Sequence, residues 1–278
     1  MDATGRGGRQ RYSLAHLTII DEPTDELVRI AHRTGYDYVS PRLICHGMPG
    51  HDYSLASQPD LLAATRRALR ETGIPVHDIE LARILADHDP RDYEPEIAIG
   101  AELGATGVLS SIWVDDRPFY LDSFGRLCDL AADYGLTVNL EFVPIAAVRT
   151  LADAVDVLRQ VDRPNARLMI DLHHFHRSGD KVEDLDALPA QWFDFCHLCD
   201  APGEIPADPE EMTHILRAAR SYVGEGGIDP AHILGHLPPV VYSIELPNVA
   251  EEARRGPEGH ARRCLDTAKA YFTSHPAA

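Results

Sequence analysis

Eight short runs rich in β-branched and aromatic residues recur along the chain, separated by helix-like stretches. This alternation limits the folds open to it. The runs are YSLAHLTII (12–20), YDYVSPRLI (36–44), VHDIELARI (76–84), ATGVLSSIW (105–113), LTVNLEFV (136–143), ARLMIDLHH (166–174), WFDFCHLCD (192–200) and VVYSIEL (240–246). Between most of them lie amphipathic segments such as 24–35, 59–73, 95–104, 123–135 and 148–162, and the first four of these close on a glycine. Strands alternating with helices at intervals of roughly 30 residues predict a parallel sheet with crossover helices. Eight such units over about 250 residues predict a (β/α)8 TIM barrel in the α/β class. A doubly wound open sheet is the runner-up, but no glycine-rich phosphate loop follows the first run. No linker or low-complexity tract divides the chain. The reading is therefore one catalytic domain over 12–274, behind a flexible lead-in at 1–11 and with a long connection from Asp200 to Pro239.

Composition narrows the function classes. The net charge of -18 disfavours nucleic acid and anionic membrane as partners. No stretch approaches the roughly 18 apolar residues of a membrane span, and MDATGRGGRQR lacks the apolar core of a secretory signal. Five cysteines, an odd number, suit reduced thiols and a cytoplasmic location. Cys196 and Cys199 form a lone CxxC within one strand, so they read as core packing.

In a barrel of this kind the active site lies at the C-terminal ends of the strands. The last four runs each end in one metal-capable side chain: Glu141 in NLEFVP, Asp171 in LMIDLHH, His197 in FCHLCDAP and Glu245 in YSIELP. Side chains alternate faces along a strand, so Met169 pairs with Asp171, Phe193 and Phe195 with His197, and Val241 and Ser243 with Glu245. If all four polar residues point inward, they converge across half of the barrel mouth. Any one of them is as easily a structural hydrogen-bonder. Four on neighbouring strands are costly to bury without a cation. Three carboxylates and one imidazole suit one divalent ion such as Mn, Mg, Co or Zn. The local cluster in LMIDLHHFHRSGD contributes only Asp171 as a ligand. His173 and His174 should face opposite ways, and His176 and Arg177 follow the strand, where solvation competes with substrate contact. His46, His77 and Glu80 lie near other strand ends, and Trp113 and Phe119 could wall a pocket or fill core.

The segments LEFVP, MIDLHHFHRSGD, CHLCDAPGEIP, VGEGGID and SIELPN together resemble the sugar isomerase/epimerase branch of the xylose isomerase-like TIM barrels. The resemblance covers most of the chain and is sharpest from Leu140 onward. It implies Glu141, Asp171, His197 and Glu245 as metal ligands, and Glu141 and Glu245 as the groups that remove and return a proton beside a carbonyl. It further implies a cis-enediolate stabilised by the metal. It makes His174 and Arg220 substrate contacts, with Arg177 and His46 as further candidates. The expected substrate is a small sugar, keto-sugar or inosose, and relatives often form homo-oligomers. A lyase that dehydrates a keto-cyclitol or dehydroshikimate would use the same site. A DNA-repair endonuclease on this fold would need more ligands, an aspartate-x-histidine pair that IDPAH lacks, and a basic groove. A non-catalytic binder is the remaining alternative. The chain departs from the family pattern in DAPGEIP, which lacks an arginine after the histidine, and in VGEG, where PGEG or PGQG is usual.

Overall fold

Parallel pairing requires a long return path between strands, and the helix-like segments supply it. The structure, a computed structural model, describes residues 9–45, 52 and 54–275. Its strands are β1 (Tyr12–Ala15), β2 (Tyr38–Ser40), β3 (Asp78–Ile84), β4 (Gly107–Ile112), β5 (Thr137–Glu141), β6 (Ala166–Asp171), β7 (Phe195–Leu198) and β8 (Val241–Ile244). They form one sheet in the order β2-β1-β8-β7-β6-β5-β4-β3, with every pair parallel. The two ends of that order meet through bridges from Val39 to Val76 and from Arg42 to Glu80. There Glu80 N donates to Pro41 O at 3.0 Å, and Glu80 O accepts from Leu43 N and Ile44 N. Closure removes the sheet edges and produces a TIM barrel.

Helices α1 (Thr24–Thr34), α2 (Pro59–Thr72), α3 (Glu94–Glu102), α4 (Arg117–Asp133), α5 (Leu151–Val161), α6 (Leu172–Ser178), α7 (Pro209–Ala218), α8 (Pro230–Gly235), α9 (Val249–Arg255) and α10 (Pro257–Ser274) complete the described chain. Helix α1 shows the local logic. Asp25 and Glu26 sit in its first turn and His32 and Arg33 in its last, complementing the helix dipole, and Gly35 ends it at φ 90°. Its Leu27, Val28, Ile30 and Ala31 are buried against the barrel. Truncating Leu27 to alanine would cost about 2–5 kcal/mol.

Strand parity builds the floor of the site. Leu81, Leu109, Met169 and Phe195 form a separate cluster inside the barrel, with Val241 packed on it. Two residues further along their strands, Met169 and Phe195 give way to Asp171 and His197, which pair in register. An apolar plug therefore lies one layer beneath the polar mouth. The opposite faces, Cys196 among them, join the core shared with the helices, as does Cys199 just past β7. Both thiols are free, and burial holds Cys199 up at about 12, so the pair is core packing.

Several boundaries differ from the sequence reading. The first strand stops at Ala15, because His16–Ile19 forms a 3-10 turn. The sixth stops at Asp171, because that residue caps α6. Phe193 precedes β7, so only Phe195 and His197 of the expected trio lie in the strand. Gln10 and Arg11, expected in a flexible lead-in, already engage β8 or its approach: Gln10 Nε2 donates to Val240 O at 2.9 Å and Tyr242 N to Arg11 O at 3.0 Å. After β7 the long connection is pinned by Asp200. Its Oδ1 accepts from Ala201 N and Ile228 N, and its Oδ2 from Gly224 N and Gly226 N. A Cβ at Gly226 would lie 2.2 Å from Asp200 Oδ1, so only glycine fits that turn.

Candidate metal centre

Asp171 divides its two oxygens between structure and site. Oδ1 accepts from His173 N at 2.7 Å and His174 N at 3.2 Å, closing the start of α6. Oδ2 faces the barrel mouth and accepts from Arg220 Nη1 at 2.7 Å. Glu141, His197 and Glu245 arrive from β5, β7 and the end of β8. With Asp171 they place one ligand-type atom each within 4.8 Å of all the others.

The imidazole of His197 occupies the centre of this group. Its Nδ1 lies 3.4 Å from Glu245 Oε2, 3.7 Å from Glu141 Oε1 and 3.9 Å from Asp171 Oδ2. Neither ring nitrogen has a hydrogen-bond partner, although the residue is fully buried. Four atoms bound to one ion at about 2.0–2.2 Å stand roughly 3–3.6 Å apart. The observed spacings need only a small contraction to reach that geometry, and a buried nitrogen without a hydrogen-bond partner is the mark of a ligand position. The donor set therefore fits a divalent ion. Asp171, His173 and His174 also come within 4.8 Å of one another, but that set shares Asp171.

Behind the quartet lies a belt of counter-charges. Arg220 Nη2 is 3.0 Å from Glu245 Oε2, so this arginine holds two of the four carboxylate and imidazole side chains. Arg42 Nη2 is 3.1 Å from Glu80 Oε2 and 3.6 Å from Glu245 Oε1. Glu80 Oε1 in turn lies 3.6 Å from His197 Nε2. Burial favours the neutral acid at Asp171 and Glu245, but their cationic neighbours outweigh it. Arg220 and His174 bring Asp171 below the usual range, and His197 and Arg220 bring Glu245 well below it. At Glu80 burial wins and its pKa rises. Burial opposes charge on His197 too, but Glu245, Glu141 and Glu80 hold its pKa well above 6.5.

A cavity of about 320 Å³ opens above the cluster. Glu141 and Glu245 line it, whereas Asp171 and His197 do not. The exposures agree: 6% and 4% for the glutamates, 1% and 0% for the other two. His174 also lines it, with Nε2 at 3.7 Å from Glu141 Oε1. Trp113 forms part of the wall, its Nε1 donating to Ser111 Oγ at 2.8 Å. Phe119 packs on the core instead.

The remaining sequence candidates fare differently. Arg220 reaches the cavity, but its guanidinium is engaged by Asp171 and Glu245 rather than left open for substrate. Arg177 is not brought to the cavity. It is buried in α6, where Nη2 donates to Pro202 O at 2.7 Å and Nη1 contacts His176 Nδ1. The helix that starts at Asp171 turns it away, whereas a continued strand and loop would not have. His173 is buried beside His174, with its pKa pushed down to about 2 by burial, so it stays neutral. His77 contacts Asp78 at the opposite end of β3. His46 lies outside the described residues.

The sequence reading gave no role to Arg42, Arg83 or Arg217, all of which line the cavity. An arginine inside an apolar run, as in SPRLI and ELARI, is the signal that was available for the first two. Arg217 lies on the surface of α7 and carried no such signal.

A family model described as the xylose isomerase-like TIM barrel matches residues 28–265, and the chain belongs to that family. Within it, the inosose isomerase of Bacillus subtilis is 30% identical over 132 residues, which is 45% of this chain and 45% of that protein. The 3-dehydroshikimate dehydratase of Bacillus anthracis is 30% identical over 84 residues, 30% of each. The matched stretches thus span less than half the length of these relatives. The crystal structure of the IolI protein with a bound zinc atom superposes with a TM-score of 0.76 at 20% identity, covering 97% of this chain and 100% of that one. At that identity the likeness is one of fold. No helix among the described residues is long and apolar enough to cross a membrane.

Proposed function

We propose that the protein is a divalent-metal-dependent isomerase or epimerase of a small sugar, keto-sugar or inosose. The observation that carries this reading is the division within the quartet. Only Glu141 and Glu245 face the cavity, so only they can both hold an ion and exchange a proton with a ligand. Glu141, Asp171, His197 and Glu245 would hold one ion, with Mn, Mg, Co and Zn all compatible with the donors. When bound, such an ion supplies Lewis acidity to a carbonyl and neighbouring hydroxyl, which acidifies the adjacent C–H.

The chain's own residues do the rest. Arg220, at 3.0 Å from Glu245 Oε2, fixes that carboxylate and keeps it ionised. One glutamate takes the proton from carbon; the opposite face then receives a proton from the other glutamate in its acid form, with solvent exchange resetting the pair, or the first glutamate hands its own proton to the neighbouring carbon. His174 Nε2, beside Glu141, is placed to hydrogen-bond a substrate hydroxyl. Apolar residues of the wall, among them Leu17, Ile20, Leu81 and Leu216, exclude water from the exchanged proton.

The dehydratase relative supports a second reading, in which the same abstraction is followed by loss of a hydroxyl from the next carbon. Proton NMR in heavy water separates the two. The metal-loaded protein is incubated with inososes, ketohexoses and dehydroshikimate. Deuterium uptake with inversion or a carbonyl shift supports the isomerase; loss of water supports the lyase. Full turnover by Glu245→Gln would contradict proton transfer by two glutamates.

A further inference from the structure

Three of the four residues proposed as ligands are held by the sheet itself. Glu141 pairs with Ser111 and Met169, Asp171 with His197, and His197 with Ser243 as well. Glu245 has no such support. β8 ends at Ile244, and its pairs with Leu14 and Leu198 are the last that β8 makes. Yet the Glu245 carboxylate stands 3.4 Å from His197 Nδ1, and the chemistry proposed above needs it to stay there.

The polar groups on either side of Glu245 are engaged by a single atom. Thr18 Oγ1 donates to Ile244 O at 2.8 Å and accepts from Leu246 N at 3.0 Å. These are the carbonyl before Glu245 and the amide after it, the two groups that a parallel-strand residue opposite Glu245 would bond. A strand residue uses its N–H and its C=O for this. A hydroxyl both donates and accepts, so one oxygen does the work of two. Thr18 is fully buried in the His16–Ile19 turn, where water does not compete for either bond. Glu245 N donates to Leu198 O at 3.3 Å, and Glu245 O accepts from Arg220 Nη1 at 3.1 Å. Four successive backbone groups are thus fixed where the strand has already ended.

The same turn shapes the cavity. Because the chain leaves the sheet after Ala15, Leu17 and Ile20 reach the cavity wall. Thr18 lies between them in sequence and restores contact with the β8 segment where the departing strand gives it up.

We propose that Thr18 is a positioning residue for Glu245: its hydroxyl stands in for a strand residue and fixes the backbone from which that carboxylate faces His197 and the cavity. The chemical role of Glu245 rests on the function proposed above; the hydroxyl bracket does not. Misplacing a reacting group by about 1 Å can cost about 100-fold in rate, so two buried bonds of ordinary strength matter here.

The test compares Thr18→Val, which keeps the shape and deletes the hydroxyl, with Thr18→Ser, which keeps the hydroxyl. In the metal-free protein, amide exchange is followed by NMR. Leu246 should be protected in the native chain and in Thr18→Ser, and should exchange at least about tenfold faster in Thr18→Val. The amide of Tyr242, bonded to Arg11 O, should be unchanged in all three. Mn(II) affinity, read by competition with a fluorescent chelator, should fall about 10–100-fold in Thr18→Val and return close to the native value in Thr18→Ser. Leu27→Ala destabilises α1 by opening its buried face and should bind Mn(II) as the native chain does, so a general loss of stability does not imitate the effect. A freely exchanging Leu246 amide in the native chain would overturn the proposal without any variant. So would native affinity in Thr18→Val, a Thr18→Ser variant as weak as Thr18→Val, or an equal loss in Leu27→Ala. If the native chain binds no Mn(II) while Leu246 protection still depends on Thr18, the bracket stands and the metal chemistry falls. If it binds Mn(II) and Leu246 protection ignores Thr18, the reverse holds.

Discussion

The two sides of the barrel mouth solve the same problem with opposite chemistry. From β5 to β8, each strand end delivers one carboxylate or imidazole, and the four ligand-type atoms crowd within 4.8 Å. From β2 and β3 come Arg42, Glu80 and Arg83, a mixed set in which cations predominate. The first side concentrates negative charge in a largely buried cluster; the second neutralises it from behind and carries positive charge outward along the wall. Arg42 spans both, touching Glu80 of β3 and Glu245 after β8. The lesson is that the carboxylate cluster is maintained by arginines that are not part of it, and each side can be tested by removing a single residue.

The largest effect is expected on the first side. Asp171→Ala removes a proposed ligand, uncaps α6 and leaves Arg220 buried without its 2.7 Å partner. Breaking a buried ion pair on one side costs about 3–5 kcal/mol, with roughly another 1 kcal/mol for the cap. Urea unfolding should show a loss of that order, and a change below about 1 kcal/mol would mean that the pair is not the anchor described here. On the second side, Glu80→Gln keeps shape and removes charge. Because Glu80 backs His197 at 3.6 Å, its loss should weaken metal affinity by about 10–100-fold, read by competition with a fluorescent chelator. Unchanged affinity would reduce Glu80 to a partner of Arg42.

The smallest effect is a control outside both sides. Glu252 in α9 has its pKa raised to about 7 by burial and by the charges of Asp21 and Glu22. A carboxyl whose folded pKa lies above its ordinary value of 4.5 favours the folded state in its protonated form. That contribution is complete below pH 4.5 and is lost as the pH rises through about 7. Glu252→Gln should therefore match the native protein at pH 4 and melt at a slightly higher temperature at pH 8, with metal content unchanged. Equal melting at both pH values would contradict the shift.

The same two sides differ in how far the sequence disclosed them. Glu141, Asp171, His197 and Glu245 each stand as a polar residue at the end of an apolar run, and period-two alternation aims them inward without knowledge of the fold beyond a barrel. Glu80 and Leu81 break that alternation. They are neighbours, yet Leu81 joins the inner apolar cluster while Glu80 faces His197. The pairing of β3 with β4 shifts register between Ile79 and Ala82, and a bulge of this kind re-aims adjacent side chains. No pattern in DIELARI announces it. Arg177 is turned away for a related reason: alternation alone carries the strand through to His174, whereas the carboxylate of Asp171 bonds the next amides and starts a helix three residues early. Arg217 depends on how α7 packs over the mouth, which is a tertiary matter. Alternation and strand-end chemistry were legible; bulges, caps and long-range packing were not.

The central claim is that four strand ends build one metal site. Its most direct test is the metal content of the protein, measured by inductively coupled plasma mass spectrometry after loading with Mn(II) and removal of unbound ion. The native chain should retain about one ion, and His197→Ala, which removes the orphaned central imidazole, should retain almost none. A native chain that retains no ion, or a His197→Ala variant that keeps its full complement, would contradict it.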